Sequence, residues 1–255
     1  MTQVLSPRTG GHIRKSVLPH FFIFVLTILL TLPAWSAGKE KDEDTLKNAA
    51  TVLKEALDSG KIPRNLLDQA KCVIVLPNVK KFGVGVGGSG GRGPMTCRAG
   101  KEFEGKWSAP AMYSIGGASV GLQVGGTSTD FVLLVMGEKG VDAVLQDKTK
   151  LGTDATAAAG PSGATAASTS VGGVDVLTYA KAKGLFAGVS LDGATLHADG
   201  DANKRLYGTT TSAREIVRGN AVKTPAGGQP LISLLDSELP RRGGSKAKSA
   251  PEKTK

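Results

Sequence analysis

The sequence has few of the residues that several common classes of site require. Only 12 of its 255 residues are aromatic, too few to supply a stacking platform for single-stranded nucleic acid. Its two cysteines and three histidines lack the spacing of a zinc site. It contains no Walker motif, and its longest apolar run, residues 21–32, is short of the roughly 20 residues of a membrane-spanning helix. We therefore predict no catalytic centre, no metal and no cofactor.

Glycine and positive charge are what the sequence has in excess. It contains 35 glycines and has a formal net charge of +10. The glycines follow no G-X-Y period, so a collagen is excluded. Three of the net charges lie before residue 37 and five after residue 239, which leaves +2 for residues 37–239. This nearly neutral body argues against a specific nucleic-acid partner, because such partners require clustered cations.

Residues 1–36 predict a signal peptide. Arg14 and Lys15 precede the apolar run, and the small-residue stretch at 34–37 follows it. We expect cleavage after Ser36 or Ala37, with an uncleaved N-terminal anchor as the alternative. No cysteine lies near this site, which excludes a lipoprotein anchor. The protein is thus expected to be exported to the periplasm or the extracellular space, with membrane association as a further expectation.

The C-terminal residues 240–255 predict a flexible basic tail. From Arg241 on they contain no large apolar residue, so they cannot bury enough surface to offset the entropy of ordering. Between the two ends, Cys72 and Cys97 are the only cysteines. An even count in an exported chain permits a disulfide, and a buried free thiol at Cys72 is the alternative.

Residues 37–239 are predicted to form one domain. Apolar spacing indicates helices at 44–57, 64–71, 138–146, 212–218 and 231–239 and strands at 73–76, 82–88, 111–115, 118–124, 131–136, 174–179, 185–191 and 195–197. Residues 199–203 are expected to form a turn. The small-residue segment 152–173 is by composition a flexible linker, or else two strands joined by a Pro-Gly turn. The predicted fold is α+β, with a Gly-rich, mainly antiparallel sheet, sandwich or barrel-like, and short helices at both ends.

Three segments match the motif of a known kind of site, but the residues around each one do not fit that site. Residues 83–88 satisfy G-x-G-x-x-G, but the following Ser-Gly-Gly-Arg-Gly-Pro cannot begin the helix that a dinucleotide site needs. Residues 117–121 satisfy G-x-S-x-G, yet the sequence continues as a strand and His197 is the only histidine in the body. Residues 199–203 open like a calcium loop, but Lys204 replaces its invariant glycine. An enzyme is therefore not expected.

An ordered set of segments resembles the lipid-binding SYLF domain, which also occurs in yeast regulators of the actin cytoskeleton. The segments are VKKFGVG (79–85), GKWSAP (105–110), GASVGLQVGG (117–126), LG (151–152) with GPSG (160–163), YAKAKGLFAGVSLDG (179–193), and Asn203 with YG (207–208). The resemblance covers about residues 45–220 and implies that 152–173 lie inside the domain. Ala164 and Ala180 depart from it, where family members often carry Arg and Ser.

The resemblance implies a non-catalytic module that binds phosphoinositide or another anionic lipid at a membrane surface. Eukaryotic members also bind actin, so an envelope structural or protein-interaction module is the alternative. Two segments pair cations with apolar residues, as a lipid headgroup and acyl boundary would require, although solvated turn charges are an equal interpretation. The candidate lipid-binding residues are Lys80, Lys81, Phe82, Lys181, Lys183 and Phe186. The amphipathic helix at 44–57 either lies in a lipid interface or packs on the sheet.

Overall fold

A computed structural model of the chain describes residues 18–162, 172–219 and 222–240, with side chains except those of 18–35, 82–86, 118–125 and 182. The chain divides into two compact units, Met1–Ala37 and Gly38–Lys255. In the first unit the described backbone is helical from Leu18 on. Residues 1–17 of the predicted signal peptide and the tail after Pro240 lie outside the described residues. Within the part that is described, none of the helices combines the length and the apolar character that a membrane span requires.

The second unit combines a sheet with several short helices. The described helices are α1 (Leu18–Asp58, which begins in the first unit), α2 (Arg64–Gln69), α3 (Glu138–Val144), α4 (Gly200–Tyr207), α5 (Ala213–Gly219) and α6 (Gln229–Glu238). The strands are β1 (Cys72–Cys97), β2 (Ala111–Val135), β3 (Lys148–Lys150), β4 (Ala157–Ala159), β5 (Val176–Ala182), β6 (Leu185–Gly188) and β7 (Thr195–Ala198).

Two long strands replace five of the predicted short ones. β1 and β2 pair antiparallel from Cys72 opposite Val135 to Met95 opposite Ala111. The predicted strand end at Pro77 is wrong, because a register shift lets the ladder continue beyond it. At this bulge Asn78 has a φ of 54°, and an extra residue of this kind bends a strand without ending it.

The long ribbon of β1 and β2 curls until the two ends of β1 meet. The Arg98 N–H donates a hydrogen bond of 2.9 Å to the Lys71 carbonyl oxygen, and Cys72 and Cys97 form a disulfide. Glycine makes this approach possible, since a Cβ at Gly93 would lie 1.9 Å from the Val75 carbonyl oxygen. The glycine excess therefore has a structural cause at this position.

The sheet is seven-stranded, curled and mainly antiparallel, which confirms the predicted α+β fold. Its order is β3-β7-β2-β5-β4, with β1 on β2 and β6 on β5. Among the described strands of the sheet, β4 alone pairs in parallel, with Ala157 opposite Val176 of β5. The compositional expectation of a linker is therefore wrong for residues 157–159, because tertiary pairing orders a segment that has little side-chain signal of its own. Residues 163–171 lie outside the described part.

Apolar side chains are buried on both faces of the sheet. Along β1, Ile74 and Leu76 belong to one cluster with Tyr113 and Leu133, whereas Val73 belongs to a second cluster. The second cluster lies under helices and includes Leu53 of α1, Leu66 of α2 and Leu235 of α6. A strand that is buried on both sides loses the alternation of apolar and polar residues, which explains the continuous apolar run at 73–76.

Two helices differ from expectation. The apolar face of α1, including Leu46 and Leu53, is fully buried, so it packs in the core and is not available to a lipid interface in this conformation. The predicted turn at 199–203 is wrong, because Gly200–Tyr207 is α4. Asp199 caps this helix by accepting a hydrogen bond of 3.0 Å from the Ala202 N–H, and a capping aspartate and a turn aspartate share the same local sequence signal.

Candidate functional site

The hairpin of β5 and β6 carries most of the predicted lipid-binding residues. Its strands pair from Tyr179 opposite Gly188 to Ala182 opposite Leu185, which leaves a two-residue turn. Lys183 and Gly184 form that turn with φ angles of 50° and 83°. Two successive positive φ angles are typical of a type I′ turn, whose twist matches that of the flanking strands. The turn projects Lys183 into solvent, where its side chain is exposed.

Lys181 is held by carboxylates and is not a free cation. Its Nζ lies 2.6 Å from a Glu55 carboxylate oxygen on α1 and 4.0 Å from Asp130 on β2. The hydrogen bond to Glu55 raises the pKa of the Lys181 ammonium above its usual value. The residue therefore fixes the hairpin against α1, and its charge is already compensated.

Phe186 and Leu185 have opposite environments, because successive strand residues point to opposite faces. Phe186 is buried in the cluster beneath the helices, with 2% of its surface exposed. Leu185 is 56% exposed, and among the residues with described side chains it is the one large hydrophobic with such exposure. The structure thus exposes Leu185 next to the turn of the hairpin and buries Phe186, which is one of the candidate lipid-binding residues predicted from the sequence.

The other predicted segment lies on the far side of β2. Lys80 is exposed and pairs with Ser128, and Lys81 is partly exposed and pairs with Thr127. The side chain of Phe82 lies outside the described residues. Because β5 joins the opposite edge of β2 as far as Phe131, Lys80 and the hairpin flank the same end of the sheet.

Asp130 connects the two segments. Its carboxylate accepts a hydrogen bond of 2.9 Å from the Asn78 N–H at the β1 bulge and also lies 4.0 Å from the Lys181 Nζ. One side chain therefore holds both the bulge that precedes Lys80 and the base of the hairpin that presents Leu185. The sequence offers no signal for this role, since Asp130 is distant from both segments along the chain.

We define the hairpin-tip surface by Lys80, Lys81, Lys183 and Leu185, which lie at one end of the sheet. Within it, Lys80 and Lys81 point to opposite faces of β1. The ion pairs among the described residues involve none of its three lysines. At this end of the sheet, three ammonium groups that form no ion pair among the described residues and one exposed leucine combine attraction for anions with an apolar contact. This arrangement can bind an anionic surface that also has an apolar layer.

A second ionic group holds α1 in place, and the sequence analysis missed it. Asp42 has no exposed surface and pairs with Arg92 of β1 and with Arg205 of α4, whose Nε lies 2.7 Å from the carboxylate. Arg92 also reaches Asp199 at 3.3 Å. The hydrogen bond to Asp42 raises the pKa of the Arg205 guanidinium. The partners are up to 163 residues apart, which no local pattern can reveal.

The rejected motifs take ordinary positions in the sheet. Residues 83–88 lie within β1 and residues 117–121 within β2, and neither strand leads into a helix at that point. Among the described residues there is no group of three or more potential metal-ligating His, Cys, Asp or Glu side chains. The geometry of the described residues therefore offers binding surfaces instead of a nucleotide loop or a nucleophile elbow.

Comparison with known proteins identifies the family. The family model for Ysc84, described as a Las17-binding protein and actin regulator, matches residues 116–238. That range contains β2 from residue 116 on, the β5–β6 hairpin and α4 to α6. The chain belongs to the Ysc84 (SYLF) family. The resemblance given by the sequence segments is thereby confirmed.

Individual Ysc84 relatives match over a longer stretch. Protein YSC84 of Saccharomyces cerevisiae is 37% identical over 181 residues, covering 69% of this chain and 38% of that protein. LAS seventeen-binding protein 3 of the same yeast is 35% identical over 192 residues, covering 72% and 41%. SH3 domain-containing YSC84-like protein 1 of Homo sapiens is 32% identical over 201 residues, covering 75% and 57%. The chain thus spans about two to three fifths of these relatives, one of which is named as a binding protein.

Proposed function

We propose that this Ysc84-family domain is a non-catalytic module that attaches to anionic lipid at a membrane surface through the hairpin-tip surface. The observation that carries the proposal is the exposure of Leu185 at the end of the sheet that also carries Lys80, Lys81 and Lys183. Burying the exposed part of a leucine contributes about 1.5 kcal/mol, and each cation near an anionic surface contributes about 1 kcal/mol. Free-energy contributions of this size suit reversible attachment to a membrane. Phosphoinositide is one lipid of this class.

Vesicle flotation tests the proposal on the whole chain. Vesicles that contain an anionic lipid are expected to bind the protein at low salt, and purely zwitterionic vesicles to bind it weakly. Leu185→Ser is expected to lower partitioning about tenfold, whereas Leu185→Met keeps the apolar contact and serves as its control. Lys183→Glu should also reduce binding. Lys101→Glu, a charge reversal at an exposed residue of the loop that follows β1, should not.

Flotation of a chain without the basic tail tests whether the tail or the hairpin binds the vesicles. A chain that ends at Pro240 lacks five net charges of the tail but keeps the hairpin-tip surface. We expect it to float with anionic vesicles as well. Loss of flotation in the truncated chain, with no effect of Leu185→Ser in the full chain, would assign membrane binding to the tail and refute a role for the hairpin.

Binding of a protein partner is the second candidate function, and the names of the relatives favour it. Proteins called Las17-binding and actin regulator bind other proteins, and an envelope structural or interaction role would use the sheet as a scaffold. This alternative predicts partner capture that resists salt and tolerates charge reversal at Lys80, Lys81, Lys181 and Lys183. Co-sedimentation with actin filaments, at low and high salt, separates it from lipid attachment.

Export is part of the proposal. The signal-peptide pattern of residues 1–36 supports it, and the disulfide between Cys72 and Cys97 suits the oxidising compartments in which such bonds persist. Ser36 and Ala37 are exposed, which is consistent with access for a peptidase. Intact-mass measurement of the protein from its own cells is expected to show a chain that begins at Ala37 or Gly38. A chain retaining residues 1–36 would contradict cleavage.

A further inference from the structure

A second, separate surface lies across β7 and β3. Strand registers bring four residues of one face into a row, with Arg92 opposite Ser114, Ser114 opposite His197, and His197 opposite Lys148. The next row along the same face contains Gly90, Gly116, Thr195 and Lys150. Neighbouring strands are about 4.8 Å apart and the rows about 6.7 Å, so these residues share one continuous patch.

The patch is uncovered. Lys148, Lys150 and His197 are all exposed. The nearest atom to a Cβ added at Gly116 would be a backbone oxygen of the adjacent strand, 3.8 Å away, and the corresponding distance at Gly90 is 3.9 Å. Apart from each glycine and its two chain neighbours, no described atom of the second unit lies within 3.8 Å of these Cβ positions. The two glycines therefore form a part of the face that has no side chains.

The charges on this face are arranged asymmetrically. At one end Arg92 is neutralised by Asp42 and Asp199. At the other end Lys148 and Lys150 take part in none of the ion pairs of the described residues. The nearby Asp154 carboxylate accepts a hydrogen bond of 2.7 Å from the Lys150 N–H. The Asp154 carboxylate therefore contacts the backbone of Lys150, and the ion pairs of the described residues include none between Asp154 and a lysine ammonium group.

We propose that the face formed by Lys148, Lys150, Thr195 and His197, with Gly116 as its floor, binds phosphate groups. Two ammonium groups about 6.7 Å apart at their backbones match the spacing of a ligand with two or more phosphates. The His197 imidazole and the Thr195 hydroxyl add donors on the adjacent strand, opposite Lys148 and Lys150. The source of the phosphate is either a soluble polyphosphate or a lipid headgroup. The inference does not rest on the hairpin-tip surface, which involves other residues.

The test uses the whole chain and two probes. Inorganic tripolyphosphate is titrated by calorimetry, and vesicles of phosphatidylcholine with a phosphomonoester lipid are tested by flotation. We expect tripolyphosphate or these vesicles to bind, and the double variant Lys148→Gln/Lys150→Gln to weaken binding about tenfold. The control, Lys101→Gln/Lys106→Gln, removes the same charge from exposed lysines elsewhere and should leave binding unchanged. Gly116→Val, which fills the floor without changing charge, should also reduce binding.

The outcomes of calorimetry and flotation either support or overturn the proposed phosphate site. If the double variant, but not its control, loses binding of both probes, the result supports a site for phosphate in general. If it loses binding of one probe only, that probe identifies the source of the phosphate. Absence of tripolyphosphate binding at about 1 mM, together with absence of flotation that depends on these residues, overturns the proposal. Equal losses in the double variant and its control overturn it as well, because they indicate unspecific charge. The Leu185→Ser variant tests the hairpin-tip surface independently.

Discussion

Replacement of Asp42 tests how the N-terminal helix is fixed to the sheet. The carboxylate is fully buried and pairs with both Arg92 and Arg205. It thereby joins α1, β1 and α4. Since the partners come from three elements, loss of this one side chain removes contacts between all of them at once.

The expected loss follows from the exposure of the three groups. Removing one member of a fully buried ion pair costs about 3–5 kcal/mol, because a charge remains without a partner. Here the side chains of Arg92 and Arg205 are 37% and 20% exposed, and Arg92 keeps Asp199. Both guanidinium groups can therefore recover part of their hydration. We expect Asp42→Ala to lower the free energy of unfolding by about 2–3 kcal/mol.

Urea denaturation followed by far-ultraviolet circular dichroism measures this loss. The midpoint should fall while the slope of the transition stays constant. Asp44→Ala is the matched control, because Asp44 lies on the same helix and pairs with Lys47 while both side chains are more than half exposed. It should change stability far less. A loss below about 1 kcal/mol for Asp42→Ala, or a loss no larger than that of the control, would refute the reasoning.

Three further changes probe other features. Gly93→Ala places a methyl group against a carbonyl oxygen and should cost about 3 kcal/mol, whereas Gly137→Ala, which meets nothing within 4 Å, should be tolerated; thermal unfolding compares them. Replacing Cys72 and Cys97 by serine opens a loop with a sequence separation of 25 and should lower stability by about 3.5 kcal/mol. If the non-reducing mass showed free thiols in the parent, that prediction would fail. Backbone and side-chain hydrogen bonds from Ser212 lower the pKa of Glu215, so its stabilisation is complete above the unfolded pKa of about 4.3 and is lost as pH falls through the lower folded value. Glu215→Gln should flatten that part of the stability profile.

Local patterns predicted most of the elements. Helical spacing located the packed part of α1, and α2, α3, α5 and α6 fall within a few residues of their predicted positions. These elements repeat an apolar period over one or two turns, so the information is contiguous. The ordered segments also indicated the family, because they record a whole domain and not one motif.

Long-range pairing was beyond such patterns. The ribbon of β1 and β2 continues through Pro77 because a bulge accommodates it, and β4 exists because β5 offers it an edge. Neither fact has a local cause that the sequence displays. The partners of Asp42 and Lys181 lie on distant elements, and their pairing depends on how helices pack on the sheet.

The sequence by itself determined the cation-rich, apolar character of the two candidate segments. Only the tertiary structure decided which of their side chains are available. In the hairpin, Leu185 and Phe186 are adjacent and equally apolar, and strand geometry sends them to opposite faces. Packing under the helices buries Phe186, whereas Leu185 remains at the surface. Likewise Lys181, on β5, is compensated by Glu55 of α1. Lys183 lies in the turn and takes part in none of the ion pairs of the described residues.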